Sequence, residues 1–220
     1  TGGDLVWFFK REIYCIENHI STEKFKDLKL PSTQKLLQDY FDKTGGYPSK
    51  YASNEYSFYF QECYNSYIAR KRFIESKVAR HNPSLGYLCL ADMMIKNKIT
   101  RVWTTNFDAL TETAINIINP QQELLVCSST NSGSIKNFNP TYPSVCKLHG
   151  DFRYDNLQNT DDELKALEIT LQEHWFHCLT NRGLIVIGYS GNDESIMSFF
   201  EKHITDPNFI SKGLYWTTLK

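Results

Sequence analysis

After Lys98 the texture of the chain changes: Ile99–Thr104, Glu123–Cys127, Val145–Leu148 and Leu184–Ile187 are short apolar runs rich in β-branched residues. Runs of this length with little polar alternation read as strands buried on both faces. Helical periodicities separate several of them, near Ala109–Ile118, Asp162–Leu179 and Glu194–His203, and the second opens on a capping box, Thr160-Asp161-Asp162-Glu163. Strands that alternate with helices build an α/β fold, an open and mostly parallel sheet covered by helices.

The first 98 residues carry no competing strand pattern. Helices are expected from Asp4 to about Glu17, near Thr33–Asp42, as one long element near Asn54–Arg80, and near Leu85–Lys96. The stretch Thr44-Gly45-Gly46-Tyr47-Pro48-Ser49 carries loop chemistry between two of them. One domain over residues 1–220 is therefore expected, with a helical insertion at about 20–97 and a sheet region at about 98–220. The aromatic residues clustered between Tyr47 and Tyr67 read as helix packing rather than base stacking.

Charge and cysteine usage remove several classes of function. With 24 Lys and Arg against 25 Asp and Glu, the net charge of −1 provides no bulk attraction to nucleic acid or an anionic membrane. The apolar stretch Gly183–Tyr189 is far too short to cross a bilayer, and the N-terminus lacks the layout of a signal peptide. Six cysteines sit mostly among apolar residues, and no two are spaced as C-x-x-C. Buried free thiols in a reducing cytoplasm fit that usage, and the paired hooks of a structural zinc site are missing. His174 and His177 have i, i+3 spacing, but Trp175, Phe176 and Leu179 around them read as an apolar helix face, so no metal is expected. The basic stretch Arg70, Lys71, Arg72, Lys77 and Arg80 reads as a solvated helix face. Without an initiator Met, and with strand-like residues Gly213–Leu219 at its end, the chain reads as excised from a longer protein.

Three polar clusters fall just past three predicted strand ends. Val102-Trp103-Thr104 runs into Thr105-Asn106-Phe107-Asp108, Lys147-Leu148 into His149-Gly150-Asp151, and Val186-Ile187 into Gly188-Tyr189-Ser190-Gly191-Asn192-Asp193. In open α/β sheets ligands bind at that carboxyl edge, where strand ends, helix N-termini and loops converge. Each cluster also has a structural reading. Thr105, Asn106 or Asp108 could cap the next helix, Ser190 with Asp193 matches a capping box, and His149-Gly150 could be a turn. Capping alone does not account for a histidine one residue past a strand on the edge that carries the other two motifs.

Together the three motifs resemble the sirtuin-like domain family, in the NAD-hydrolase branch found in bacterial antiphage defence proteins. The resemblance covers about residues 99–219 and implies a Rossmann-like fold with NAD as substrate. Thr1-Gly2-Gly3-Asp4-Leu5-Val6-Trp7 also resembles the segment immediately after the family's glycine-rich phosphate loop, so that loop and the first strand are expected before residue 1. Carried over residue by residue, the resemblance places Asn106 beside the ribose that bears nicotinamide, Asp108 at the nicotinamide carboxamide and His149 at the same ribose as a base. Gly188 and Ser190 would approach the adenosine half. Thr105, Gly191 and Asn192 complete the implied cofactor-binding set, and Asp193 extends the same motif.

The residue types suit the chemistry that the resemblance implies. Nicotinamide leaves NAD as a neutral group and needs no acid, while an oxocarbenium-like sugar must be oriented and stabilised. An imidazole accepts a proton from water or a ribose hydroxyl near neutral pH, worth about 10²–10⁴-fold as general base. An asparagine amide holds the attacking group without adding a charge. The family's deacylases carry a zinc module with two C-x-x-C pairs, which this sequence lacks, so the resemblance implies NAD hydrolysis by an effector domain. A sensor region of the same polypeptide, a phage-derived trigger and a homo-oligomer are the partners it implies. A deacylase or ADP-ribosyltransferase, and a module that senses NAD or ADP-ribose without turnover, are the alternatives.

Overall fold

The structure is a computed structural model, and it describes residues 2–52, 54–78, 81–128, 142–149, 169–191 and 193–217. The described residues fall into two compact units, one up to Phe73 and the other from Ile74 onward.

The first unit is helical. Helix α1 (Gly2–Glu17) buries Val6, Phe9 and Ile13, which recur at helical spacing and so share one stripe. A 3₁₀ turn (Thr22–Phe25), capped by the Ser21 hydroxyl, leads to α2 (Pro31–Thr44). Pro31 stands in the first turn of α2, where its missing N–H costs nothing, and Gly45 ends the helix at φ 75°. The long helix expected from Asn54 is instead two, α3 (Glu55–Cys63) and α4 (Tyr67–Val78). Tyr64 leaves the helical region at φ −133° and ψ 81°, and the Ser66 hydroxyl accepts the Ala69 N–H, so a local cap at Ser66 starts a new helix.

Aromatic rings fill this unit, as the cluster around Tyr47–Tyr67 predicts. Phe9 stacks on Phe60 with centroids 5.0 Å apart, and Tyr47 packs 4.6 Å from Phe41 and 5.7 Å from Tyr59. Among these rings lies a buried ammonium. Lys10 is fully buried and pairs with the Glu55 carboxylate, while Gln38 Oε1 accepts a second hydrogen bond at 2.7 Å. The other Glu55 oxygen accepts the Tyr51 N–H at 2.8 Å, and the faces of Trp7 and Tyr59 lie 4.7 and 4.8 Å from Lys10 Nζ.

The second unit is α/β. Helix α5 (Leu85–Ile95) precedes β1 (Arg101–Thr104), followed by α6 (Leu110–Ile118), β2 (Leu125–Ser128), β3 (Ser144–Lys147), α7 (Ile169–Leu179), β4 (Leu184–Val186), α8 (Glu194–His203) and β5 (Leu214–Trp216). All pairings between these strands are parallel: β3 lies between β1 and β2, and β4 pairs with β5. The expected α/β architecture with a small Rossmann-like parallel sheet is what forms. The expected capping box at Thr160–Glu163 lies outside the described residues.

Strand β3 shows why its run is apolar throughout. Val145 packs among Ala91, Met94, Ala114 and Ile115 of α5 and α6, while Cys146 and Leu148 pack on the opposite face among Trp175, Leu179, Ile196 and Phe199 of α7 and α8. With helices on both faces, neither set of alternating side chains meets water. Trp175 and Phe199 stack with centroids 4.5 Å apart at the middle of that second layer. The six cysteines are free thiols, of which Cys15, Cys127, Cys146 and Cys178 are buried and Cys89 is exposed. No described helix is long and apolar enough to cross a membrane.

Candidate active site

Strand register sets the site. In the β1–β3 ladder Thr104 stands opposite Lys147, and the Leu148 N–H extends the pairing by donating to the Thr104 carbonyl at 2.8 Å. Asn106 and His149 therefore leave the ladder at the same level, each two residues past this last registered pair. The Phe107 ring then lies 6.3 Å from the His149 imidazole, so the first two motifs meet.

The third motif joins them through Asp193. Its Oδ1 lies 3.3 Å from His149 Nε2, and both side chains are largely shielded, at 20% and 12% exposure. The approach has ion-pair distance but not the alignment of a hydrogen bond, so His149 Nε2 is a buried polar atom with no hydrogen-bond partner among the described residues. Burial pushes the Asp193 carboxyl up, but His149 and the Tyr189 hydroxyl beside it more than reverse this and hold it below the ordinary carboxylate value. Burial and the Asp193 charge push the Tyr189 phenol well above its usual range.

Asp193 occupies the N-cap position of α8, yet its side chain makes no cap hydrogen bond. The capping box read from Ser190 and Asp193 is thus not formed: α8 begins at Glu194, three residues later than the box requires, and the Asp193 carboxylate turns to the imidazole past the end of β3. Ser190 is exposed. The turn itself is pinned from β5, where Trp216 Nε1 donates to the Tyr189 carbonyl at 3.1 Å and Thr217 N to the Val186 carbonyl at 2.9 Å. Gly188 has φ 68° with open space where a side chain would start, a backbone state that L residues avoid at roughly 1–2 kcal/mol. Gly191 has φ 79° and lies against Trp216 and Met197. Asn192 and Gly150 lie outside the described residues.

On the first motif the side chains divide. The Asn106 amide is exposed, and its Nδ2 donates to the Tyr87 hydroxyl of α5 at 3.3 Å. Its backbone N–H donates to Thr104 Oγ1 at 3.0 Å, which shapes the turn. Asp108 Oδ1 accepts the Leu110 N–H at 3.0 Å, an Asx turn that satisfies the first free N–H of α6 from the residue before its N-cap, Ala109. Thr105 is half-buried on the same turn. Beneath it Lys147, fully buried, pairs with Glu112 of α6 at 3.0 Å and donates to the Asp108 carbonyl. Two grooves elsewhere on the chain, about 360 Å³ beside Asp4, Trp7 and Lys26 and about 170 Å³ beside Phe176, His177 and His203, hold neither His149 nor Asn106.

A model of the SIR2-like domain family matches residues 100–219, more than half of the chain and all three motifs. The chain belongs to this family. Among curated proteins, none matches it. SIR2-like domains use NAD and are in general NAD-dependent enzymes. At the sheet edge of this SIR2-like domain stand a buried imidazole nitrogen without a hydrogen bond among the described residues, an exposed amide at the same level past the ladder, and an open glycine turn. Among the described residues no group of three His, Cys, Asp or Glu could hold a metal ion.

Three side chains of this SIR2-like site escaped the sequence reading of roles. Lys147 stood in a motif but inside a predicted strand, and Glu112 looked like an ordinary first-turn helix acid. Tyr87 lies on α5, 19 residues before Asn106. Only for Lys147 was there a signal, since a lysine in an otherwise apolar strand buried on both faces requires a partner.

Proposed function

We propose that this SIR2-like domain is an NAD hydrolase that cleaves the ribose–nicotinamide bond to give nicotinamide and ADP-ribose. The observation that carries the reading is His149, a shielded imidazole at the carboxyl end of β3 that faces the Asp193 carboxylate through Nε2, in a domain of an NAD-using family. NAD supplies a leaving group that departs neutral, so the protein needs a base and an orienting amide rather than an acid. His149 takes the proton of the attacking water, and Asn106 orients that water. Thr105, Asp108, Gly188, Ser190, Gly191 and Asn192 hold the ligand around them. The absence of any C-x-x-C pair supports hydrolysis over deacylation, because the zinc module that the family's deacylases carry cannot be built.

The biological reading rests on the antiphage branch that the motifs resemble. The domain acts in the bacterial cytoplasm as the NAD-depleting effector of abortive infection, released by a phage-derived trigger through a sensor region of the same polypeptide and working as a homo-oligomer. The test is nicotinamide release from NAD by the purified protein with all flanking sequence of its gene retained, with and without lysate of phage-infected cells. His149→Ala and Asn106→Ala should each lower the rate by about 10²–10⁴-fold while the fold persists. Release that requires an acylated peptide would replace hydrolysis by deacylation, and NAD binding with no release would make the domain a sensor. In infected cells the NAD pool should fall with the wild type and hold with His149→Ala.

A further inference from the structure

We propose that Asp193 is the positioning residue of His149, its carboxylate orienting the imidazole and compensating the charge that the ring acquires when it takes a proton. The proposal rests on the hydrolase reading above and adds to it a residue outside the candidate catalytic pair.

The first argument is geometric. Asp193 sits at the N-cap of α8, where an aspartate ordinarily accepts a backbone N–H of its own helix. Here that bond is not made, and the carboxylate lies 3.3 Å from an imidazole contributed by β3. Forgoing a cap leaves about 1 kcal/mol of helix stabilisation unrealised, so the tertiary contact has displaced a favourable local one.

The second argument is electrostatic. Both side chains are mostly shielded from water, which strengthens their mutual attraction. From the β4–α8 connection Asp193 faces His149, with the Tyr189 hydroxyl beside that carboxylate, and from the β1–α6 connection the neighbour is the uncharged Phe107 ring. Lys147, on the same strand as His149, is tied to Glu112 and the Asp108 carbonyl. Asp193 is therefore the anion placed to act on this ring among the described residues.

In the hydrolytic step, water forms a bond to the ribose C1′ as the C1′–N bond breaks, and the bonding pair leaves on the nicotinamide nitrogen, which becomes neutral. The proton lost by the water goes to His149 Nδ1, since Nε2, which faces Asp193, carries the ring's own N–H. The imidazolium then faces the Asp193 carboxylate as a neutral pair until the proton passes to solvent.

The test compares Asp193→Asn, His149→Ala and the double variant. Asparagine keeps the size and shape of the side chain, so the fold should persist. Asp193→Asn should lower kcat for nicotinamide release by more than about ten-fold and by no more than the ~10²–10⁴-fold of losing His149 itself, with KM for NAD unchanged. In the His149→Ala background it should have no further effect. Full kcat, a rise in KM alone, or an additive loss in the double variant would overturn the proposal, the last two by making Asp193 a direct ligand contact. A readout independent of turnover separates this from failure of the hydrolase reading. By NMR, the ring nitrogen signals of His149 should report a single tautomer, with the proton on Nε2, in the wild type and a mixture in Asp193→Ala, and an unchanged tautomer sinks the positioning role even in a protein that does not cleave NAD.

Discussion

Both units bury a lysine completely, and the two ammonium groups hold different things. Lys10 in the helical unit meets side chains, the Glu55 carboxylate and the Gln38 amide, with the faces of Trp7 and Tyr59 around it. It cross-links α1, α2 and α3. Lys147 in the α/β unit meets Glu112 of α6 and the main-chain carbonyl of Asp108, so it grips the backbone of the turn that carries Asn106. The comparison teaches that a buried charge can serve the core or the site, and that the partner tells which. A lysine paired to side chains on neighbouring helices fixes packing. One bonded to a turn carbonyl fixes where the next side chains point.

The comparison breaks most visibly at Lys10. Lys10→Met leaves Glu55 buried without its cation, and removing one partner of a buried pair costs about 3–5 kcal/mol. Chemical denaturation should show that loss, while nicotinamide release per folded molecule stays at the wild-type value. Lys147→Met likewise leaves Glu112 without its cation, and adds an effect on turnover that Lys10→Met lacks. Releasing the Asp108 carbonyl frees the turn, and a misplaced reacting geometry is expected to lower turnover by about 10²-fold, or ~2.7 kcal/mol, beyond any change in Tm. If the two variants lose stability and turnover in the same proportion, the distinction between a core lysine and a site lysine fails.

Asp108→Ala sharpens the comparison. It removes the carboxylate that accepts the Leu110 N–H and leaves the carbonyl that Lys147 holds, so a stability loss of about 1 kcal/mol is expected. Turnover should fall less than in Lys147→Met. A rise in KM for NAD would show that the second carboxyl oxygen contacts the ligand as the family motif implies. The smallest effect concerns pH. Burial lowers the Lys10 pKa against the opposing pull of Glu55. The folded protein therefore releases this proton before the unfolded chain does. The Lys10 contribution to stability consequently rises as pH climbs toward the ordinary lysine value of 10.5. Denaturation of wild type and Lys10→Met at rising pH should show the gap between them widening up to the ordinary lysine value and levelling off above it.

Most of the α/β unit was legible because its signals are local. β-branched runs and capping residues fix short elements within a window of a few residues, and the motif positions relative to strand ends follow from them. What could not be read depends on distant pairings. Asp193 has the composition and spacing of a cap, and only the arrival of β3 beside α8 turns its carboxylate to His149. The break between α3 and α4 was hidden for the opposite reason. Helix-compatible residues run on both sides of Asn65-Ser66, and a single serine hydroxyl bonded to Ala69 N–H decides the interruption. Tyr87 meets Asn106 from a helix whose sequence shows only an apolar face.

The Lys147 contact also bears on how the strands find one another. Thr104 pairs with Lys147 in the β1–β3 ladder, and sliding one strand by a single residue would turn every side chain of β3 to the other face. The ammonium would then enter the layer formed by Trp175, Leu179 and Phe199, out of reach of Glu112 and the Asp108 carbonyl. An unpaired charge in that setting costs several kcal/mol. The lysine thus acts as a check on assembly: a chain that has paired its central strands wrongly cannot close its core, so molecules that complete folding carry Asn106 and His149 at matching heights.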